Sequence, residues 1–203
     1  MGVRLYGVTS NEGHVLDELP GEGSLLQVRD LAAVIGPAPY EAVEPDDAAI
    51  DLHRRVIDVV FRHRTVLPLP VGTVFRGTHA LERWMELHYV SLSDALAYVD
   101  DRVAARVRVS RLEMSVVAED GSDLASTGAE VMRALRRRAV ASVPLRGERV
   151  TGLSVASAFL VERELWKEFT KGVEEVQSAD PQLRVESSGP WPPYDFVRIE
   201  LGG

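Results

Sequence analysis

Apolar residues in the first part of the chain come in short runs broken by polar stretches. Val3–Val8 (VRLYGV) is rich in β-forming residues and ends in the polar, glycine-containing Thr9–Gly13, the pattern of a strand running into a turn. Leu25–Val28 and Leu31–Ile35 are two more such runs, and Arg29-Asp30 between them predicts the tight turn of a hairpin. Pro37 and Pro39 stop the sheet because proline cannot donate to a strand ladder, so Pro37–Pro45 reads as a loop. The period then changes. Ala49, Leu52, Val56, Val59 and Val60 recur at helical spacing and predict one buried face of a helix. It starts at Asp46 or Asp47, where a carboxylate meets the positive end of the helix dipole, and ends near Arg64. Thr65–Leu69 is strand-like, and Gly72–Phe75 continues it after a break at Pro70. Leu81, Trp84, Met85, His88 and Leu92 mark a second amphipathic helix, and Val103–Val117 alternates as one or two strands.

The polar Glu119–Asp123, with Gly121, predicts a domain boundary that divides residues 1–119 from 120–203. A helix is expected over Asp123–Val143, carrying Leu124, Val131, Leu135 and Val140 and ended by Pro144 and Gly147. Arg149–Val161 reads as a strand. Glu162–Val176 reads as a helix with Leu165, Phe169, Val173 and Val176 inward, and Leu183–Glu186 and Phe196–Leu201 read as closing strands. The expected fold is α+β: two small domains, each an antiparallel sheet with helices on one face, in a modified ferredoxin-like arrangement.

Composition supports a packed chain. At 203 residues, 45% hydrophobic and 27% charged, it matches ordinary globular proteins and is long enough for two small cores. No apolar run reaches the span of a membrane helix, and Met1–Tyr6 lacks a signal-peptide pattern, so a cytoplasmic protein is expected. Cysteine is absent, which removes disulfides, thiolate metal sites and a cysteine nucleophile together. The net charge of −8 is unevenly spread, with 8 basic and 15 acidic residues up to Asp100 but 15 and 16 beyond it. An acidic first part argues against nucleic acid, whose phosphates need a basic surface, and for a basic or hydrophobic protein partner.

Chemistry finds little support. The five histidines, His14, His53, His63, His79 and His88, lie nine or more residues apart, without the close spacing that puts two imidazoles on one metal. Ser154 and Ser157 lack the glycine-flanked turn of a nucleophilic serine, and Asp46, Asp47 and Asp51 are better explained as helix-capping carboxylates than as a magnesium site. Gly21-Glu22-Gly23 and Gly72–Gly77 match no phosphate-binding loop, and Arg136-Arg137-Arg138 reads as a solvated helix face. No catalytic residue, cofactor or metal is expected. Two segments depart from ordinary folding patterns. In Val66–Phe75 (VLPLPVGTVF), Pro68 and Pro70 interrupt an apolar run, making either a bent edge strand or an exposed binding edge through Leu67, Leu69, Val71, Val74 and Phe75. In Gly189–Val197 (GPWPPYDFV), prolines stiffen a stretch bearing Trp191, Tyr194 and Phe196. It reads as the closure of the second domain or as an apolar contact presented to a partner.

These segments carry a family resemblance. GPWPPYDFV resembles the G-P-W-P-P-Y-x-F-V signature near the C-terminus of GvpF/GvpL gas vesicle proteins, and it follows AFLVER at Ala158–Arg163, similar to that family's A-F-L-V-x-R. LYGV at Leu5–Val8, DLAAVIG at Asp30–Gly36, His53 in its helix and VLPLPVGTVF appear in the family's order, although Pro70 and Val71 depart from its usual residues. The resemblance implies two modified ferredoxin-like domains and a non-enzymatic role in gas vesicle assembly. It also implies binding to the hydrophobic shell protein GvpA and to other accessory proteins, with the first domain expected to hold the shell-protein contact. The alternative is a ferredoxin-like sensor module that binds a small ligand.

Overall fold

The computed structural model describes residues 2–11, 19–40, 45–111, 121–145, 154–180 and 183–197. The chain divides into two compact units, Met1–Asp101 with Pro192–Gly203, and Arg102–Trp191.

In the first unit, β1 (Gly2–Ser10), β2 (Ser24–Val28), β3 (Leu31–Ala38), β4 (Val66–Pro68) and β5 (Val74–Phe75) form one antiparallel sheet in the order β2-β3-β1-β4, with β5 also on β1. The hairpin turns at Arg29-Asp30, as its sequence predicts, with Arg29 at φ 58°, the left-handed conformation that matches the twist of the flanking strands. Its helices are α1 (Asp47–His63), α2 (Thr78–Leu87) and α3 (Tyr89–Val99). Asp46 caps α1 by accepting from the Ala49 N–H at 2.8 Å, and the helix stops at the extended Arg64. The single helix expected around Trp84 is broken at His88 into α2 and α3. The Leu92 N–H still donates to the His88 carbonyl, so the second piece continues from the first.

In this unit helices lie on both faces of the sheet. Leu5, Val8, Leu31, Ala33, Ile35, Leu67 and Leu69 form a core with Leu81, Trp84, Met85, Leu92, Leu96 and Val99 of α2 and α3. The opposite face is covered by α1, which buries His53, Val56, Ile57, Val60 and Phe61. It approaches so closely that a Cβ on Gly7 would lie 2.9 Å from Ile57 and 2.8 Å from the Leu67 carbonyl. Six consecutive residues of β3, Leu31–Gly36, are buried, the mark of a strand covered on both sides. Each fully buried aliphatic side chain contributes about 1.5–3 kcal/mol.

The second unit orders β6 (Arg102–Arg111), α4 (Gly121–Arg136), β7 (Ala141–Pro144), β8 (Ser154–Glu162), α5 (Trp166–Ala179) and β9 (Leu183–Trp191) along the chain, and its antiparallel sheet runs β7-β8-β6-β9. This is the ferredoxin-like βαββαβ plan. β6 and β7 point the same way with β8 between them, so a crossover must join them, and α4 supplies it. Val103, Ala105, Val107 and Val109 alternate onto the helix-covered face in register with Val161 and Phe159, and the Phe159 ring meets Phe169 of α5 at 5.4 Å. The first sheet repeats this strand order, with the first strand of the unit central and the third and last beside it. Its helical pair α2–α3 instead follows the last strand.

Four sequence expectations change here. Ala141–Val143, read as the end of a helix, is strand β7, because pairing with β8 outweighs local helical periodicity. Leu165 sits in a 3-10 turn before α5 and is exposed, so it is not an inner residue of that helix. Tyr194–Phe196 is a 3-10 turn where Phe196 was expected to open a strand, and residues 198–201 lie outside the described residues. The division falls between Asp101 and Arg102, earlier than the expected boundary near Glu119, itself outside the described residues. β6 alternates like a first-domain strand, but its partners β8 and β9 lie far downstream.

Candidate interaction surfaces

The VLPLPVGTVF segment becomes the bent edge of the first sheet. Pro68 and Pro70 cannot donate, yet the Leu69 N–H reaches the Tyr6 carbonyl and the Leu5 N–H reaches the Thr73 carbonyl, both at 2.9 Å, so the bend stays fastened to β1. Two of its expected contact residues are withdrawn from any partner, since Leu67 and Leu69 are core residues. Alternation decides this, because Leu67 shares the inward face with its ladder partner Val8. Val71, Val74 and Phe75 remain half-buried, and Phe75 packs its ring on Trp84 at 5.5 Å.

The GPWPPYDFV segment is divided between the units. Trp191 ends β9, 43% exposed, with its indole N–H donating to Ser188 Oγ at 3.1 Å. Pro192–Val197 leaves that sheet and belongs to the first unit, where Pro192 and Pro193 are buried and Val197 packs on the α2–α3 core. The segment therefore does not simply close the second domain. Tyr194 is half-buried, with its ring 6.4 Å from that of His53, and the Tyr6 ring lies 5.6 Å from the same histidine. Sequence patterning missed this cluster because the stripe was drawn from aliphatic residues alone, although His53 stands four residues after Ala49 and three before Val56 on that face.

His53 is 1% exposed, and neither ring nitrogen has a hydrogen-bond partner. Burial, reinforced by the nearby Arg4 charge, pushes its pKa down to about 4, while the adjacent Leu69 backbone opposes the shift without reaching hydrogen-bond geometry. The imidazole is neutral at physiological pH. Burial and then the Asp58 charge raise the Tyr194 pKa, so the phenol stays protonated. A neutral histidine packed near two tyrosines, without a convergent acceptor or nucleophile, is a packing element.

Other polar groups serve the fold. Asp51 pairs with Arg54 at 3.0 Å, Arg136 donates to Ser142 Oγ at 2.9 Å, and Arg138 binds Glu175 at 2.7 Å, so two members of the arginine run are tied to neighbours and are not merely solvated. A cleft of about 640 Å³ in the first unit is lined by Asp30, Thr65 and Asp100, among others. The Asp30 carboxylate accepts from Tyr89 and the Asp100 carboxylate from Thr65, each at 2.6 Å, so these polar groups already serve one another and do not converge on a ligand. Among the described residues no group of three His, Asp or Glu could hold a metal ion, and no helix is long and apolar enough to cross a membrane.

Among the described residues, some large apolar side chains are exposed, including Val140 and Leu165, which helical periodicity had assigned to buried helix faces. Leu87 at the end of α2 is 81% exposed and Val90 at the start of α3 is 68% exposed, and in the second unit Val140 and Leu165 are also uncovered. Their signal was indirect, as Leu87 and Val90 fall outside the buried stripe of Leu81, Trp84, Met85 and Leu92.

Comparison with known proteins agrees over nearly the whole chain. It is 27% identical over 178 residues to gas vesicle protein F2 of Halobacterium salinarum, covering 86% of this chain and 79% of that protein. It is 25% identical over 214 residues to gas vesicle protein F1 of the same organism, covering 97% and 93%. Its fold is similar to the crystal structure of GvpF from an Anabaena species, with a TM-score of 0.83 at 18% identity, covering 98% of this chain and 97% of that one. It is similar also to that of GvpF from Microcystis aeruginosa, with a TM-score of 0.78 at 15% identity, covering 98% and 99%. The family model for gas vesicle synthesis protein GvpL/GvpF matches residues 2–120 and 111–198, and the chain belongs to that family.

Proposed function

We propose that this protein is a gas vesicle assembly accessory protein that acts by binding, holding the hydrophobic shell protein GvpA and other accessory proteins while the vesicle forms. Family membership supports the setting. The observation that carries the binding reading is the bent β4–β5 edge, where Val71, Val74 and Phe75 stay half-exposed at the margin of a sheet. Strand margins present unpaired backbone groups, and an apolar rim beside them suits a hydrophobic partner strand or loop. Net acidic charge in this part of the chain favours encounter with a basic partner segment. The protein works in the cytoplasm and at the growing vesicle.

Co-expression of full-length protein with GvpA, followed by affinity capture, tests this reading. Val71→Asp and Val74→Asp are expected to lower GvpA recovery by about tenfold, the loss that follows from placing a charge in an apolar contact. Trp191→Ala, in the second unit, is expected to leave recovery unchanged. Absence of GvpA from the wild-type capture, or undiminished recovery with both aspartate variants folded by circular dichroism, would overturn it.

A further inference from the structure

Among the described residues, the most exposed aliphatic side chains form a ridge. Leu87 and Val90 are three residues apart across the His88 junction, and spacing at i, i+4, i+7 and i+11 places Arg83 before them and Asp94 after them on the same side of the α2–α3 pair. Arg83 and Asp94 are both exposed. The ridge is thus apolar at its centre, with Arg83 at one end, Asp94 at the other and the exposed Glu86 beside Leu87.

The second unit holds the matching concavity. A groove of about 290 Å³ lies where the C-terminal turn of α4 meets the start of α5. Its floor is Phe169, and its apolar lining includes Val140 and Leu165, 43% and 41% exposed, the two large hydrophobic residues this unit leaves uncovered outside Trp191 among the described residues. Arg137 and Arg138 line it from the end of α4, Arg138 being held by Glu175 at 2.7 Å, and Glu162 and Glu168 line it from the β8–α5 side. The charges are therefore divided across an apolar slot, in the same arrangement as on the ridge.

We infer that the α2–α3 ridge of one copy of this protein docks into the α4–α5 groove of a second copy. Leu87 and Val90 would cover Val140 and Leu165, with Arg83 against Glu162 and Glu168 and Asp94 against Arg137. The two faces differ, so the contact is heterologous, and successive copies join in a row or close into a ring. Opposite charges at the two ends set the direction in which the ridge enters, and the apolar middle supplies the attraction.

Sedimentation velocity of the full-length protein over a concentration series reads the association. Wild type is expected to form dimers or larger species as concentration rises. Leu87→Asp, which spoils the ridge, and Leu165→Asp, which spoils the groove, are each expected to weaken association by about tenfold or more. Both positions are solvent-exposed, so the variants should fold. An equimolar mixture of the two provides the deciding measurement. One variant still has its groove and the other its ridge, so the mixture is expected to form one-to-one dimers and nothing larger. Arg137→Glu alone should weaken association, and Arg83→Glu combined with Glu162→Arg and Glu168→Arg should retain it. A wild type that stays monomeric throughout, variants that associate like wild type, or a mixture that stays monomeric would each overturn the proposal.

Discussion

The buried His53 gives stability a specific pH dependence. The unfolded chain binds a proton at histidine near the ordinary value of 6.5, whereas the folded site, dry and beside Arg4, accepts one only near 4. Between these values the unfolded state carries more protons, so stability rises with pH through the window. The neutral-histidine contribution is complete above about pH 6.5 and is lost as pH falls toward 4. Lowering pH from about 7.5 to about 4.5 should cost about 2.5 kcal/mol through this one group, taking 1.36 kcal/mol per pKa unit. Carboxylates also titrate near the lower end, so the quantity to measure is a difference. Urea unfolding of wild type and His53→Phe would be compared at both pH values. Phenylalanine keeps a flat ring near Tyr6 and Tyr194 but cannot titrate. Wild type is expected to lose about 2.5 kcal/mol more than the variant on acidification. His53→Gln, smaller and also non-titrating, serves if the phenylalanine overfills the site. Parallel losses in wild type and both variants would refute the reasoning, because they would mean that the folded imidazole accepts a proton as readily as the unfolded one.

Two further substitutions test the fold around the motif segments. Gly189→Ala is expected to destabilise by about 2 kcal/mol or more, because Gly189 has φ +139° and an added Cβ would stand 2.7 Å from the Ala104 carbonyl and 2.8 Å from the Trp166 ring; thermal denaturation would show it, and an unchanged midpoint would contradict the backbone assignment. Leu67→Ala should cost about 2–5 kcal/mol in chemical denaturation, since the residue is fully buried between β1 and α3, and a cost below about 1 kcal/mol would return it to the surface.

Much of the architecture was legible because local physics and tertiary structure agreed. The hairpin at Arg29-Asp30, the Asp46 cap of α1 and the stop at Arg64 each rest on interactions within a few residues, and each stands where the sequence placed it. The resemblance in GPWPPYDFV was likewise readable, because a proline-aromatic string of that kind is specific without any knowledge of its neighbours.

What alternation could not give was the side on which each face is covered. The apolar run Leu31–Ile35 marked a strand, but only assembly showed α1 on one face and α2–α3 on the other. Leu67 and Leu69 could be read as part of a bent edge strand or of an exposed binding edge and proved to be core, since exposure depends on which helix lies overhead and periodicity carries no such information. Tyr194 was read with a segment that closes the second domain or presents an apolar contact, yet its partner His53 comes from far earlier in the chain. The sequence alone determined the elements, the absence of thiol chemistry, the acid-rich first part and the family's signature. The tertiary structure decided that the signature is shared between two units, with Trp191 on β9 and Tyr194 against α1, because pairing and burial join residues that no local pattern connects.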